Sequence, residues 1–196
     1  MTKDSIRKLF IEKRNQLSGA EYNKLCLQLL LQFQQLNLTG IKCLHMFLPI
    51  HKRREPDTLL IRDWLKANYP EIKIVYPKTN FADYTMQSFV DDEDLILENN
   101  GFDIPEPSSG NKVEPIEIDL ILIPLLAFDK AGYRVGYGKG FYDRFMINCK
   151  PGTQFVGLSL FEPVDEINDL NEFDIKMHQC ITPASIYNFN IMGEIR

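Results

Sequence analysis

The sequence predicts an α/β protein, a three-layer α/β/α sandwich built around a mostly parallel, mixed central sheet. Three observations lead there. Apolar residues recur at helical spacing over the first forty positions, after which short β-rich runs alternate with further helical segments. The strongest run, Ile118 to Pro124, is almost wholly Ile and Leu, the pattern of a strand buried on both faces. The long connection from Tyr84 to Lys112 leaves room for antiparallel additions to the sheet.

Taken in order, Ile6, Leu9, Phe10 and Leu17 are spaced for one helix, with Lys and Arg between them. Ser18 to Glu21 has the form of a capping box. It opens a second helix whose stripe is Tyr22, Leu25, Cys26, Leu29, Leu30 and Phe33, closed by Asn37 to Gly40. Ile41 to Leu48 is expected as a strand ending at Pro49. Thr58 is the expected N-cap of a helix carrying Leu60, Ile61, Trp64 and Leu65, with Trp64 in the core. Ile72 to Tyr76 reads as a strand stopped by Pro77, and Tyr84 to Val90 as another. The acidic stretch Asp91 to Asn100 suits one helical turn, and the Gly, Pro and Ser content of Gly101 to Val113 predicts irregular chain. After Ile118 to Pro124 come a glycine-rich loop, a short helix with Phe141, Phe145 and Met146, and strands over Thr153 to Leu160 and Gln179 to Thr182. No repeat or linker interrupts this order, so residues 1–196 read as one domain.

Composition narrows the function. With 22 Lys and Arg against 27 Asp and Glu, the net charge is -5. A general nucleic-acid binder draws its affinity from clustered cations, so any phosphate chemistry here must come from a local basic site. Cys26, Cys43, Cys149 and Cys180 are widely spaced with no CxxC, as in reduced thiols of a cytoplasmic protein. The first residues are charged and lack the apolar run of a signal peptide. The longest apolar stretch, Ile118 to Phe128, is too short to cross a bilayer. The expectation is a cytoplasmic protein, a monomer or weak dimer, with small-molecule partners and neither nucleic acid nor membrane among them.

The most informative segment runs from Asp129 to Arg144. It follows the best buried strand and precedes a helix, the place where open α/β sheets bind ligands. Gly136, Gly138 and Gly140 alternate with Tyr137 and Lys139, so backbone N–H groups can approach an anion without interference from Cβ. Arg134 adds a planar fork and Lys139 a point charge. Asp143, three residues past Gly140, is well placed for a divalent cation shared with phosphates. The segment is neither a Walker A loop nor a dinucleotide GxGxxG. On these residues alone it is a phosphate-binding loop.

Leu122 to Arg144 resembles the signature of the 5-formyltetrahydrofolate cyclo-ligase (5,10-methenyltetrahydrofolate synthetase) family. The likeness continues in order along the chain through Lys3 and Arg7, Phe47 to Ile50, Glu55 to Thr58, Tyr76 to Lys78, Gly101 to Pro107, and Asn171 to Asp174 followed by Ile181-Thr182. It implies a Rossmann-like fold resembling the sugar-phosphate isomerase and coenzyme A transferase architecture. The implied reaction is the MgATP-dependent conversion of 5-formyltetrahydrofolate to 5,10-methenyltetrahydrofolate through a phosphorylated formyl group, releasing ADP and phosphate. No protein nucleophile is needed, and none is evident. By the resemblance, Lys3, Arg7, Arg134, Val135, Gly136, Tyr137, Gly138, Lys139, Gly140, Phe141 and Tyr142 bind ATP, with Arg134 and Lys139 catalytic. Glu55, Phe47, Leu48, Phe102, Tyr137 and Phe141 bind the folate, Glu55 accepting from pterin N–H groups; Asp143 and Asp174 hold magnesium. Without the resemblance, Lys3 and Arg7 read as solvated helix charges and Glu55 as half of a surface pair with Arg53 or Arg54. Two other readings remain at this point: a non-catalytic folate or nucleotide binder, and an isomerase- or transferase-like enzyme using Glu55 or Glu106.

Overall fold

The structure, a computed structural model, describes residues 1–100 and 104–190. Helices α1 (Lys3–Gln16) and α2 (Gly19–Phe33) come first, and the predicted capping box at Ser18 and Glu21 is formed. Tyr22, Cys26, Leu29 and Phe33 are buried as the stripe requires, whereas Leu9 of α1 is exposed. The third helix, α3 (Thr58–Asn68), is capped by Asp57 rather than Thr58. Asp57 accepts from the Leu59 amide at 3.1 Å, while the Thr58 hydroxyl is buried and donates to the Phe47 carbonyl at 2.6 Å. Trp64 is only half-buried, edge-on to Phe33. The fourth helix, α4 (Phe141–Met146), is short.

The strands are β1 (Cys43–His45), β2 (Lys73–Asn80), β3 (Thr85–Val90), β4 (Ile96–Asn99), β5 (Pro105–Ser109), β6 (Lys112–Val113), β7 (Leu120–Pro124), β8 (Ala127–Phe128), β9 (Arg134–Val135), β10 (Gln154–Leu158), β11 (Gln179–Ile181) and β12 (Ile186–Asn188). The main sheet has the order β12-β11-β10-β7-β1-β2-β3-β6. Its inner five strands, β11 to β2, are parallel; β12, β3 and β6 are antiparallel additions. β7 shows why its sequence is apolar throughout: Leu120 and Leu122 enter the core shared with α2 and α3, and Ile121 and Ile123 enter the core shared with α4. Each such side chain contributes about 1.5–3 kcal/mol on burial.

Several local expectations are corrected. β2 continues through Pro77, because β1 pairs only with Lys73 to Val75 and the missing N–H of Pro77 falls where β2 has one neighbour. The acidic stretch forms no helical turn; it contributes β4, paired with β5 from the segment expected to be irregular. Ile41 to Leu48 yields only the three residues of β1. Phe102, with Gly101 and Asp103, lies outside the described residues.

Candidate functional site

The parallel strands β1, β2 and β7 point their carboxyl ends at a cleft of about 980 Å³. Phe47 and Leu48 follow β1 and Pro124 ends β7, so the sheet supplies the floor. The β8–β9 hairpin, absent from the sequence reading, carries the glycine-rich loop across one side. α1 docks on that hairpin through Ile6 and Phe10, which pack with Leu126, Ala127 and Val135. Lys3, Arg7, Phe10 and Arg14, spaced four, three and four residues apart, therefore share one helix stripe facing the loop.

The loop is held from both ends. Arg7 Nε donates to the Gly136 carbonyl at 3.0 Å, and Arg144 Nη1 donates to the Lys139 carbonyl at 2.8 Å. Gly138 has φ +87°, and a Cβ there would lie 3.2 Å from the Arg7 guanidinium. Lys139 is exposed and forms no ion pair among the described residues. α4 spans only six residues, too short for a strong helix dipole at its N-terminus.

Arg134 is nearly sealed, with 6% of its side chain exposed. It donates to Asp143 Oδ1 at 2.7 Å and to the Ile175 carbonyl at 2.7 Å. Burial lowers its pKa, opposed by Asp143 and then Asp174; a guanidinium stays protonated regardless. Asp143 Oδ1 also accepts from the Ile175 amide at 3.3 Å, while Oδ2 makes no hydrogen bond among the described residues. Lys3 Nζ binds Asp174 at 2.5 Å, and Asp174 Oδ2 accepts from the Asn171 amide at 2.6 Å. The acidic end lies elsewhere in the cleft. Glu55 is buried and accepts from the Ile50 amide at 2.9 Å; burial raises its pKa. Arg53 lies 4.9 Å over the Tyr137 ring. The mouth carries an aromatic rim: Phe141 stacks edge-on with Phe81 at 5.2 Å and against Tyr84 at 5.8 Å.

Lys3, Arg7, Phe47, Leu48, Glu55, Asp174 and every position from Arg134 to Asp143 line this one cleft. Phe47 and Leu48 are nonetheless mostly core, 4% and 9% exposed. Sequence reasoning missed Arg14, Arg53, Phe81 and Tyr84. The helix stripe shared with Lys3 and Arg7 could have found Arg14; the others come from turns with no periodic signal. Glu106 also lines the cleft, with Oε1 held by the Thr79 hydroxyl and Oε2 by Asn100 at 2.9 Å. A carboxylate engaged on both oxygens is poorly placed as a nucleophile. No group of three His, Cys, Asp or Glu side chains suited to a metal occurs among the described residues. No described helix is long and apolar enough to cross a membrane.

Comparison with known proteins gives a consistent result. The model of the 5-formyltetrahydrofolate cyclo-ligase family matches residues 1–183. A 5-formyltetrahydrofolate cyclo-ligase of Mycoplasma genitalium is 30% identical over 182 residues, covering 91% of this chain and 97% of its own. The mouse protein of the same name is 32% identical over 107 residues, 48% of this chain and 52% of its own. Among solved structures, a 5,10-methenyltetrahydrofolate synthetase from Mycoplasma pneumoniae superposes with a TM-score of 0.73 at 27% identity, covering 93% of this chain and 99% of that one. One from Aquifex aeolicus superposes with a TM-score of 0.77 at 26% identity, covering 100% and 97%.

Proposed function

Because the chain belongs to the 5-formyltetrahydrofolate cyclo-ligase family, we propose that it is the ATP-dependent ligase that cyclises 5-formyltetrahydrofolate to 5,10-methenyltetrahydrofolate, with residues 1–196 acting as one catalytic domain. The observation that carries this is the single cleft with a cationic, amide-lined end and a carboxylate end. ATP phosphates lie along the amides of Gly136 to Gly140, within reach of Lys3, Arg7 and Lys139. The pterin lies toward Glu55, its N–H groups donating to the carboxylate.

In this arrangement the formyl oxygen attacks the terminal phosphorus of ATP, whose bond to the bridging oxygen breaks as ADP leaves. The resulting activated carbon is attacked by the folate's second amine nitrogen, and phosphate leaves as the ring closes. Positioning and charge neutralisation do most of the work in such transfers. Arg134, locked by Asp143 and the Ile175 carbonyl, is preorganised to meet the developing charge. Lys139, in no ion pair among the described residues, is available to the transferring phosphoryl group.

The donor set also suits magnesium, a hard cation that takes one or two carboxylates together with phosphate oxygens and water. Asp143 would hold it through Oδ2. Asp174 joins only if Lys3 exchanges that carboxylate for a phosphate, since both oxygens of Asp174 are now engaged by protein donors. When bound, the ion neutralises phosphate charge. The experiment is direct: 5-formyltetrahydrofolate, ATP and magnesium are mixed with the protein. The near-ultraviolet absorbance of the methenyl product should grow with one phosphate released per turnover. Binding of both ligands without product would establish a non-catalytic binder instead.

A further inference from the structure

Asp129 is 1% exposed and takes part in no ion pair among the described residues. A buried carboxylate is costly unless its oxygens are hydrogen-bonded, and here backbone amides do that. Oδ1 accepts from the Ala131 amide at 3.0 Å and from the Tyr133 amide at 3.0 Å, which ties the turn between β8 and β9. Oδ2 accepts from the Ile167 amide at 3.3 Å, on a segment 38 positions later. The turn alone would need only the first oxygen. An Asn would supply that one, but its side-chain nitrogen, like the Ile167 nitrogen, only donates. The carboxylate is the side chain of this shape that accepts on both sides.

The two segments it joins both lead to the cleft. From the turn, β9 runs on into the glycine loop. From Ile167 the chain runs on to Asn171, Phe173 and Asp174, which line the cleft, and Asp174 holds Lys3. Upstream, the Val164 amide donates to the Phe128 carbonyl at 2.9 Å. The Ile167 bond is therefore the last hydrogen bond to the hairpin before residues 168–176 leave it. They return when the Met177 amide donates to the Gly132 carbonyl at 2.9 Å. The two feet of this loop thus stand on one turn, at Asp129 and Gly132. Near its second foot the loop is also fixed by Ile175, whose carbonyl accepts from Arg134 and whose amide donates to Asp143. Asp129 governs the first foot.

We propose that Asp129 is a positioning residue for the nucleotide end of the cleft: from behind the wall it fixes loop 168–176, and with it Asp174 and the Lys3 ammonium, against the glycine loop. This rests on the reading of Lys3 and Asp174 as part of the site for ATP and magnesium. Asp129→Asn keeps the volume and the turn but sets a donor against the Ile167 N–H. It frees the first foot and leaves the Glu55 end untouched.

The test is calorimetric titration of ADP with magnesium, and separately of 5-formyltetrahydrofolate, for wild type, Asp129→Asn, Asp174→Asn and the double variant. Asp129→Asn should bind ADP about tenfold more weakly, with folate affinity unchanged, because a displaced wall acts only on what it touches. Since Asp129 acts through the loop that carries Asp174, the two losses should not multiply: the double variant should bind ADP about as weakly as Asp174→Asn. Loss in Asp174→Asn with wild-type ADP affinity in Asp129→Asn overturns the role of Asp129 alone. Multiplied losses in the double variant, or an equal loss of folate affinity in Asp129→Asn, overturn it too. Wild-type ADP affinity in Asp174→Asn overturns both the reading of Asp174 and this proposal. If Asp129→Asn does not fold, amide hydrogen exchange on the wild type carries the test. The Ile167 amide should exchange as slowly as those of Ala131 and Tyr133, and amides in 168–176 should gain protection when ADP and magnesium bind. A fast Ile167 amide, or a loop indifferent to the nucleotide, overturns the proposal.

Discussion

Gly138→Ala isolates the geometry of the loop from its chemistry. Gly138 sits at φ +87°, where an L residue costs about 1–2 kcal/mol. The new Cβ would lie 3.2 Å from Cζ and Nη2 of Arg7, so the guanidinium must retreat by a few tenths of an ångström. That retreat strains the 3.0 Å bond from Arg7 Nε to the Gly136 carbonyl, a hydrogen bond from a charged donor whose partial loss costs about 1 kcal/mol. Together these come to about 2–3 kcal/mol, or about 5–10 °C in Tm for a chain of this size. Gly136→Ala is the matched control, since nothing lies within 4 Å of its added Cβ and its φ is not positive. Thermal unfolding followed by circular dichroism should separate the two variants clearly, and ADP binding should weaken in Gly138→Ala. Equal melting temperatures for the pair would refute the reasoning, because strain at Gly138 is its only source of asymmetry.

Lys139→Ala should leave stability within about 0.5 kcal/mol, as for an exposed side chain with no ion pair among the described residues, yet lower turnover by about a hundred- to a thousandfold in steady-state kinetics. Lys139→Arg should recover little, since a planar fork does not replace a compact ammonium between glycines; near-normal turnover in the Ala variant would remove Lys139 from the phosphate cradle. Asp143→Asn should demand more magnesium for half-maximal turnover and also loosen Arg134; an unchanged magnesium titration would take Asp143 out of the metal site. His45 is fully buried, and burial pushes its pKa down to about 3. Below about pH 6.5 the unfolded chain therefore binds a proton that the folded one refuses, and stability falls with pH by up to about 1.4 kcal/mol per unit. Urea melts should show a shallower acid slope for His45→Asn than for wild type, and parallel slopes would contradict this.

The sequence carried the architecture wherever periodicity was strong. The stripes of α1 and α2 and the double-faced run of β7 were legible because burial on a defined face dictates residue type. β4 and β5 were not, since every residue from Ile96 to Asn99 is exposed and a two-stranded pair needs no alternation. Pro77 misled because its cost depends on whether β2 has one neighbour or two, which is a property of the sheet. At the site, the glycine alternation located the loop, but nothing local announced that Arg14 would donate to the Tyr137 hydroxyl. That contact joins positions 123 residues apart and exists only once α1 packs on the loop.

The contact of Lys3 with Asp174 joins positions 171 residues apart, and it has company. The Met1 amino group donates to the Glu166 carbonyl and to Asn168 Oδ1, and the Lys3 amide donates to Asp169. The first helical turn is thus buckled to a segment synthesised at the far end of the chain. During translation the central strands and the glycine loop can assemble well before that buckle closes, because loop closure over so long a span comes late. Maturation of the nucleotide end then coincides with completion of the fold. A nascent chain that has not yet exposed residues 166–174 also lacks β11 and β12, so its sheet stops at β10 and the wall of its cleft is unfinished.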